Sequence, residues 1–139
     1  MLDKITILLV DDDDDDQLFF NDAVQEAHHL VQLFTANNGL DAIQMLNQNP
    51  LLVDAIFMDI NMPLQNGFDC LAIIKKNTCL QHIPVIMLST SSQSKDIQHA
   101  LQLGATRFIS KSQEYVEYKT NIKNVLDEVL CKRSDDTAH

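Results

Sequence analysis

A short apolar run that ends on a carboxylate constrains this chain more than any other stretch. Residues 55–58 are Ala, Ile, Phe and Met, and Asp59 follows them directly. So short and uniformly apolar a run is typical of a strand in a parallel sheet, because helices cover both faces of such a strand. Asp59 would then end the strand at the edge where open α/β sheets bind their ligands. We therefore expect Asp59 to act chemically, and the alternative is that it caps the following loop.

Four further segments predict strands, and amphipathic segments separate them. The predicted strands cover residues 5–10, 31–36, 85–88 and 107–110. Between and after them, apolar residues recur at intervals of three and four, as on a helix face that packs on a sheet. The predicted inward residues are Phe20, Ala23, Val24, Ala27, Ala42, Ile43, Leu46, Phe68, Leu71, Ile74, Ile97, Ala100, Leu101, Tyr118, Ile122, Val125, Leu126 and Val129. Five strand–helix units with short connections predict an α/β domain, a doubly wound five-stranded parallel sheet with helices on both faces.

The composition limits the size, location and partners of the protein. A chain of 139 residues with 45% hydrophobic content suits one domain, predicted over residues 1–130, with a polar, disordered tail at 131–139. A net charge of −10 without clustered Lys or Arg argues against direct nucleic-acid binding. The apolar run at residues 5–10 is too short for a signal peptide or membrane span, so we expect a cytoplasmic protein that does not bind membranes. Three cysteines without CxxC spacing argue against a disulfide framework or a zinc site.

Polar side chains end or follow four of the five predicted strands. Asp11 and Asp12 follow the first strand, Asp59 ends the third, Ser89 follows the fourth and Lys111 the fifth. Because the carboxyl ends of parallel strands meet at one edge of a sheet, we expect these side chains to lie close together.

Four segments, in this order and spacing, resemble the receiver domain of two-component response regulators. They are residues 8–12, residues 57–63 with Gly67, residues 84–89, and Gly104-Ala105 with Phe108 and Lys111. The resemblance covers nearly the whole chain. It implies the flavodoxin-like, or CheY-like, (βα)5 fold with strand order 2-1-3-4-5.

The resemblance also implies the chemistry of the site. Asp59 would be the phosphoacceptor, attacking a phosphohistidine of a sensor histidine kinase, a form of carboxylate nucleophilic catalysis. Lys111 and the Ser89 hydroxyl would bind the phosphoryl oxygens. Ser89 and Phe108 would form a conformational switch.

A divalent cation is the expected cofactor. Clustered carboxylates repel one another and an incoming phosphoryl group, and Mg²⁺ prefers oxygen ligands. By the resemblance, Asp12, Asp59 and the backbone carbonyl of Asn61 would coordinate Mg²⁺ directly, and Asp11 would act through water.

The residue after Lys111 departs from the family pattern. Receivers usually have proline there, after a cis peptide bond, whereas this chain has Ser112. A non-proline cis bond costs roughly 2.5–4 kcal/mol, so the loop would store that strain or take another path. The chain is similar to receivers that serve phytochrome-type kinases in three places, which are Lys111-Ser112, residues 74–77 and Ile83-Pro84.

Three rival interpretations concern the acidic residues. Residues 13–16 resemble part of a calcium loop, but such a loop needs Gly and Glu where this chain has Asp16 and Asp22, and a solvated helix start is the favoured interpretation. A phosphohydrolase with an aspartyl-phosphate intermediate would need a second acid at Asn61. An unphosphorylated interaction module would not need Asp59 and Lys111 together.

The favoured interpretation is a stand-alone receiver that is not an enzyme and signals by changing its protein partners. Its expected output face is the last helix–strand–helix unit, which would bind a downstream protein or a second copy of the chain. That face includes Lys95, His99, Phe108, Tyr115, Tyr118 and Lys119. For both tyrosines, helix packing is the alternative, and His28, His29, His82 and His99 are expected at the surface.

Overall fold

A computed structural model of the chain describes residues 4–28, 30–48, 53–62, 66–90, 93–111 and 114–137, with side chains described up to residue 132. Within these ranges, strands and helices alternate. They are β1 (Ile5–Val10), α1 (Asp14–Ala27), β2 (Val31–Ala36), α2 (Gly39–Gln48), β3 (Ala55–Asp59), α3 (Gly67–Lys76), β4 (Val85–Ser89), α4 (Ser94–Gln102), β5 (Arg107–Ser110) and α5 (Tyr115–Thr137).

The strands form one parallel sheet in the order β2-β1-β3-β4-β5, which confirms the predicted topology. The register aligns the strand ends that matter for the site. Val10 pairs with Met58, Asp59 with Leu88, and Ser89 with Ser110. The polar residues that end these strands therefore lie along one edge of the sheet.

The sheet separates two hydrophobic cores, and alternate strand residues enter each one. Leu8 and Val10 of β1 pack with buried residues of α2, α3 and α4. Ile7 and Leu9 of the same strand pack with buried residues of α1 and α5. Because helices cover both faces, β1, β3 and β4 are almost entirely buried, as the uniformly apolar runs predict.

The predicted helix faces are largely confirmed, except on α4, where Ile97 is only half-buried and Leu101 is exposed. Leu101 was expected inside, but its side chain is 49% exposed. Ala100 is the buried residue of α4, and the next residue along a helix is rotated by about 100°. Leu101 therefore faces away from the sheet.

The structure continues α5 to Thr137, which differs from the disordered tail expected after Leu130. Once the packed part of a helix has formed, each further residue adds a backbone hydrogen bond without a new nucleation cost. The polar residues beyond Leu130 can therefore extend the helix without packing on the sheet. The domain boundary at residue 130 stays a prediction.

Among the described helices, none is both long and apolar enough to cross a membrane.

The acidic run after β1 begins helix α1. Asp13 is its N-cap, and the Asp13 side chain accepts a hydrogen bond from the backbone N–H of Asp16. Asp14, Asp15 and Asp16 occupy the first turn, where each carboxylate gains about 0.3–1 kcal/mol from the helix dipole. Residues 14–16 therefore lie in a helix, whereas a calcium-binding loop would need them in a loop. This confirms the predicted helix start.

Gly104 ends α4 in the left-handed conformation. Its φ is +106°, and the N–H of Gly104 donates to the Leu101 carbonyl while that of Ala105 donates to the Ala100 carbonyl. These two bonds form a Schellman cap, in which glycine avoids the Cβ clash of a positive φ.

Gly67 lets α3 begin directly against the end of β3. Its N–H donates to the Ile60 carbonyl at 2.8 Å. A Cβ at Gly67 would lie 2.4 Å from the Asp59 carbonyl oxygen and 2.8 Å from the Cα of Ile60. The backbone around Asp59 therefore depends on the absence of a side chain at this position.

We predict that Gly67→Ala destabilises the protein by about 1–3 kcal/mol, the usual cost of overpacking a buried site. The same substitution at Gly104 is the matched control, because it also adds one methyl group and costs about 1–2 kcal/mol through its positive φ. Urea unfolding measures both losses. Backbone amide NMR should show shifts at residues 59–61 in Gly67→Ala and not in Gly104→Ala. Wild-type stability of Gly67→Ala would contradict the close contact.

Candidate functional site

Three carboxylates meet at the carboxyl edge of the sheet, as the sequence predicts. Asp11 and Asp12 follow β1 and Asp59 ends β3, and one carboxylate oxygen from each lies within 4.8 Å of the others. Asp11 and Asp59 are buried, whereas Asp12 is exposed. The backbone N–H of Asp13 donates to Asp11 Oδ1 at 3.0 Å, which holds that carboxylate in place.

Lys111 reaches this cluster from the end of β5. Its backbone N–H donates to the Ser89 carbonyl at 2.7 Å, which fixes the chain where the sheet ends. Its Nζ lies 2.6 Å from Asp11 Oδ2, 2.9 Å from Asp16 Oδ2 and 3.6 Å from Asp59 Oδ2. The predicted lysine is therefore beside the predicted phosphoacceptor, and it makes its shortest contacts with other carboxylates.

Asp16 is the residue that the sequence interpretation missed. It was assigned to a solvated acidic face, but its carboxylate accepts a hydrogen bond from Lys111. The signal was its position in the first turn of α1, directly after β1. Side chains on a helix tilt toward its N-terminus, so a residue in that turn can reach back to the strand end.

The other predicted site residues lie around Asp59. Ser89 is fully buried at the end of β4, the strand next to β3. Asn61 is exposed, and its backbone N–H donates to Asp59 Oδ1 at 3.3 Å. Phe108 is half-buried opposite Met87 in the register and packs against the core on the α2–α4 side. Their roles in metal binding and switching stay predictions, and Ser112 lies outside the described residues.

Burial dominates the electrostatics of the carboxylates. Loss of water raises the pKa of Asp59 to about 6, the charges of Asp11 and Asp12 add to the rise, and Lys111 opposes it. Burial also raises the pKa of Asp11, against the hydrogen bond from Lys111.

Lys111 shows the opposite balance. Burial alone would lower the pKa of Lys111, but hydrogen bonds to Asp11 and Asp16 outweigh it and hold that pKa above its usual range. Lys111 is therefore a permanent positive charge, and the ionised carboxylates around it outnumber it.

The donor set fits a hard divalent cation. The cluster of Asp11, Asp12 and Asp59 offers only oxygen atoms, which Mg²⁺ prefers and which leave room for water in its octahedral shell. The excess negative charge at this edge gives a cation a further electrostatic reason to bind.

The two tyrosines at the start of α5 are separated by the structure. Tyr118 is buried in the core between the sheet and α1 and α5, so its assignment to a partner face is wrong. Tyr115 is 41% exposed, with its ring 6.0 Å from that of Phe19. The hydrophobic stripe of α5 places Tyr118 inward, four residues before Ile122, and leaves Tyr115 near the rim.

Two of the histidines, His82 and His99, are exposed, and His28 is half-buried. The His99 ring also lies 4.4 Å from that of Phe68. His29 lies outside the described residues, and so does Pro63, which ends the segment 57–63 of the family resemblance.

Residues 7–123 match the response regulator receiver domain family, and the chain belongs to that family. It is 35% identical over 102 residues to the probable transcriptional regulator ycf29 of Pyropia yezoensis, covering 73% of this chain and 45% of that protein. The phosphorylated cyanobacterial phytochrome response regulator RcpA is similar in structure, with a TM-score of 0.83, 29% identity and coverage of 92% and 95% of the two chains. The Mn²⁺-bound form of response regulator Rcp1 is also similar, with a TM-score of 0.76, 26% identity and coverage of 87% of this chain and 91% of that chain.

These similarities confirm the predicted family and its CheY-like fold. The chain spans less than half the length of curated relatives that it matches. What is common to them and to this chain is therefore the receiver domain.

We predict that Asp59→Asn stabilises the metal-free protein at neutral pH by about 1–3 kcal/mol, because ionised Asp59 is held in a site that raises its pKa. A raised pKa favours the folded state below the unfolded value of 3.8, and this contribution is lost as pH rises through about 6. The gain from Asp59→Asn should therefore appear between pH 4 and 7 and be absent below it. Urea unfolding in EDTA across this range measures it.

The matched control is Asp22→Asn, which neutralises an exposed carboxylate on α1. It should change stability by less than about 0.5 kcal/mol at every pH. A pH-independent effect of Asp59→Asn would contradict the raised pKa.

Proposed function

We propose that this receiver accepts a phosphoryl group on Asp59 from the phosphohistidine of a sensor histidine kinase. The observation that carries the proposal is the grouping of Asp59 with Asp11 and Asp12 within 4.8 Å, beside the ammonium group of Lys111. Membership of the receiver family supports the same reaction. In this proposal, residues 1–130 form the receiver domain that carries out the reaction.

Asp59 is the nucleophile in the proposed reaction. One carboxylate oxygen attacks phosphorus, the P–N bond to the donor imidazole breaks, and the imidazole nitrogen keeps the electron pair and takes up a proton. Asp59 must be ionised to attack, and its pKa of about 6 leaves it mostly ionised at neutral pH. The product is an acyl phosphate with more negative charge than the carboxylate it replaces.

Lys111 and Ser89 receive the transferred group. Lys111 is the fixed cation at this edge, and a charge-assisted hydrogen bond from it would stabilise phosphoryl oxygens in the transition state and the product. Ser89 ends the strand beside Asp59, and its hydroxyl is the proposed second donor. Movement of Ser89 toward the phosphoryl group would leave space for Phe108, which is the proposed switch.

We infer that Mg²⁺ is the cofactor, held by Asp12, Asp59 and the backbone carbonyl of Asn61, with Asp11 acting through water. When bound, the cation neutralises the charge of the carboxylates and of the transferring phosphoryl group. The oxygen-only donor set supports this assignment, and so does the Mn²⁺-bound form of the similar regulator Rcp1.

A phytochrome-type kinase is the proposed phosphoryl donor, because the similar protein RcpA is a phytochrome response regulator. The cytoplasm is the proposed location of the reaction. The proposed output face comprises Lys95, His99, Phe108, Tyr115 and Lys119, without the buried Tyr118. Phosphorylation would change its affinity for a downstream protein or for a second copy of the chain. Such a change requires two conformations that differ by a few kcal/mol, which phosphate then rebalances.

We predict that Asp59 is the one residue labelled by acetyl phosphate or by a cognate kinase in the presence of Mg²⁺. Asp59→Asn should abolish labelling, because an amide cannot act as the nucleophile, and Asp22→Asn should label as the wild type does. Intact-mass spectrometry at acidic pH measures the stoichiometry. Undiminished labelling of Asp59→Asn would show that another residue accepts the phosphate. Release of phosphate from small phosphomonoesters would instead favour a phosphohydrolase.

We also predict that Asp12→Ala weakens Mg²⁺ binding at least about tenfold, since it removes a direct charged ligand of a cation that prefers carboxylates. Asp14→Ala is the matched control, because it removes the same charge from an exposed residue two positions along the acidic run. Calorimetric titration with Mg²⁺ compares the two variants. Equal losses would mean that the acidic run as a whole attracts the cation, without a defined site.

A further inference from the structure

The ammonium group of Lys111 lies near three carboxylates but at unequal distances from them. Its Nζ donates hydrogen bonds to Asp11 at 2.6 Å and to Asp16 at 2.9 Å, while the nearest Asp59 oxygen lies at 3.6 Å. The last distance exceeds that of a hydrogen bond. The lysine is thus held toward the start of α1, although the proposed function needs it at a phosphoryl group on Asp59.

Asp16 differs from the other two partners of Lys111. Asp11 and Asp59 belong to the cluster whose oxygens are close enough to share one cation, and Asp16 does not. A cation bound there would offset the charges of Asp11 and Asp59 and weaken their attraction for the lysine. Asp16 would keep its full charge and its hold on Lys111.

The surroundings of this ion pair make it stronger than an ordinary surface pair. The Lys111 side chain is 8% exposed and that of Asp16 is 39% exposed, so solvent and salt screen the pair only in part. Asp16 and Lys111 also line a cleft of about 280 Å³ together with Phe19, Tyr115 and Tyr118. The pair is therefore partly enclosed, yet Asp16 keeps access to water if the lysine leaves it.

We propose that Asp16 is a positioning residue that competes with the incoming phosphoryl group for Lys111 and thereby slows phosphorylation of Asp59. This inference rests on the proposed function. Before Lys111 can donate to a phosphoryl oxygen, it must release or share the hydrogen bond to Asp16. The charge of Asp16 thus sets how readily the site accepts phosphate, without contacting the phosphate itself.

The test compares labelling rates with acetyl phosphate and saturating Mg²⁺ for the wild type and three variants. Asp16→Asn should label on the order of tenfold faster, the scale of a lost charge-assisted hydrogen bond. Asp16→Glu keeps the charge and should remain near the wild-type rate. Asp15→Asn makes the same charge change at an exposed first-turn residue of α1, and it should stay within about twofold because charge screening limits its reach.

A second comparison tests whether Asp16 acts through the lysine. In a Lys111→Met background, Asp16→Asn should no longer raise the rate, because the group for which Asp16 competes is gone. An acceleration that persists there would mean direct repulsion of the donor by Asp16, and it would overturn the proposal. Circular dichroism first confirms that each variant is folded. Should Lys111→Met not fold, the three single variants decide the question alone.

The outcomes separate this inference from the function on which it rests. If the wild type is labelled and Asp16→Asn is equal or slower, Asp16 does not restrain Lys111 and the inference fails while phosphorylation of Asp59 stands. If Asp15→Asn accelerates labelling as much as Asp16→Asn, general charge explains the effect and the inference fails again. If the wild type takes up no phosphate from acetyl phosphate or any kinase, the proposed function fails, and the inference falls with it.

Discussion

Negative charge held at the edge of a buried sheet is the constraint on which the rest of this structure depends. Asp11 and Asp59 lose most of their water where the strands end, and both have raised pKa values in consequence. The buried ammonium group of Lys111 offsets part of that cost. Such a site is costly for the fold when no cation is present, and the same excess of negative charge attracts a cation.

The fold maintains this arrangement by fixing the backbone at the strand ends. The backbone N–H of Ile60 donates to the Leu88 carbonyl, and that of Lys111 donates to the Ser89 carbonyl. These bonds join the ends of β3, β4 and β5, and Gly67 allows α3 to begin against the Asp59 carbonyl. Two buried hydrophobic cores lie behind the edge. Because protein cores are close-packed, the backbone that carries the buried carboxylates of Asp11 and Asp59 has little freedom to move.

Control of Lys111 connects the site to its proposed signalling function. The proposed function requires that Lys111 lie close to Asp59 and that it respond when Asp59 is phosphorylated. In the unphosphorylated protein, Lys111 Nζ makes its two shortest contacts with Asp11 and Asp16, and Asp59 is the most distant of its three carboxylate partners. In the proposed mechanism, a phosphoryl group on Asp59 competes for the same ammonium group, so the strength of the Asp16 contact would affect how easily Asp59 is phosphorylated.

Much of the fold and the main site residues were determined by local sequence patterns. Uniformly apolar runs located β1, β3 and β4, and the helical spacing of apolar residues identified the inner faces of the helices. The carboxyl ends of parallel strands lie at one edge of the sheet, and this rule alone groups Asp11, Asp59 and Lys111. These conclusions hold because periodicity and strand direction are properties of the chain itself.

The tertiary structure decided which side chains touch. In the folded protein, Asp16 forms an ion pair with Lys111, which lies at unequal distances from three carboxylates. Tyr118 is buried in the core, and Leu101 is exposed. The sequence placed each of these residues within its element, but contact depends on the rotation of one helix against the sheet and on its neighbours. A helix turns about 100° per residue, so a small difference in that rotation decides whether a side chain at the margin of the apolar face meets solvent, the core or the charged edge.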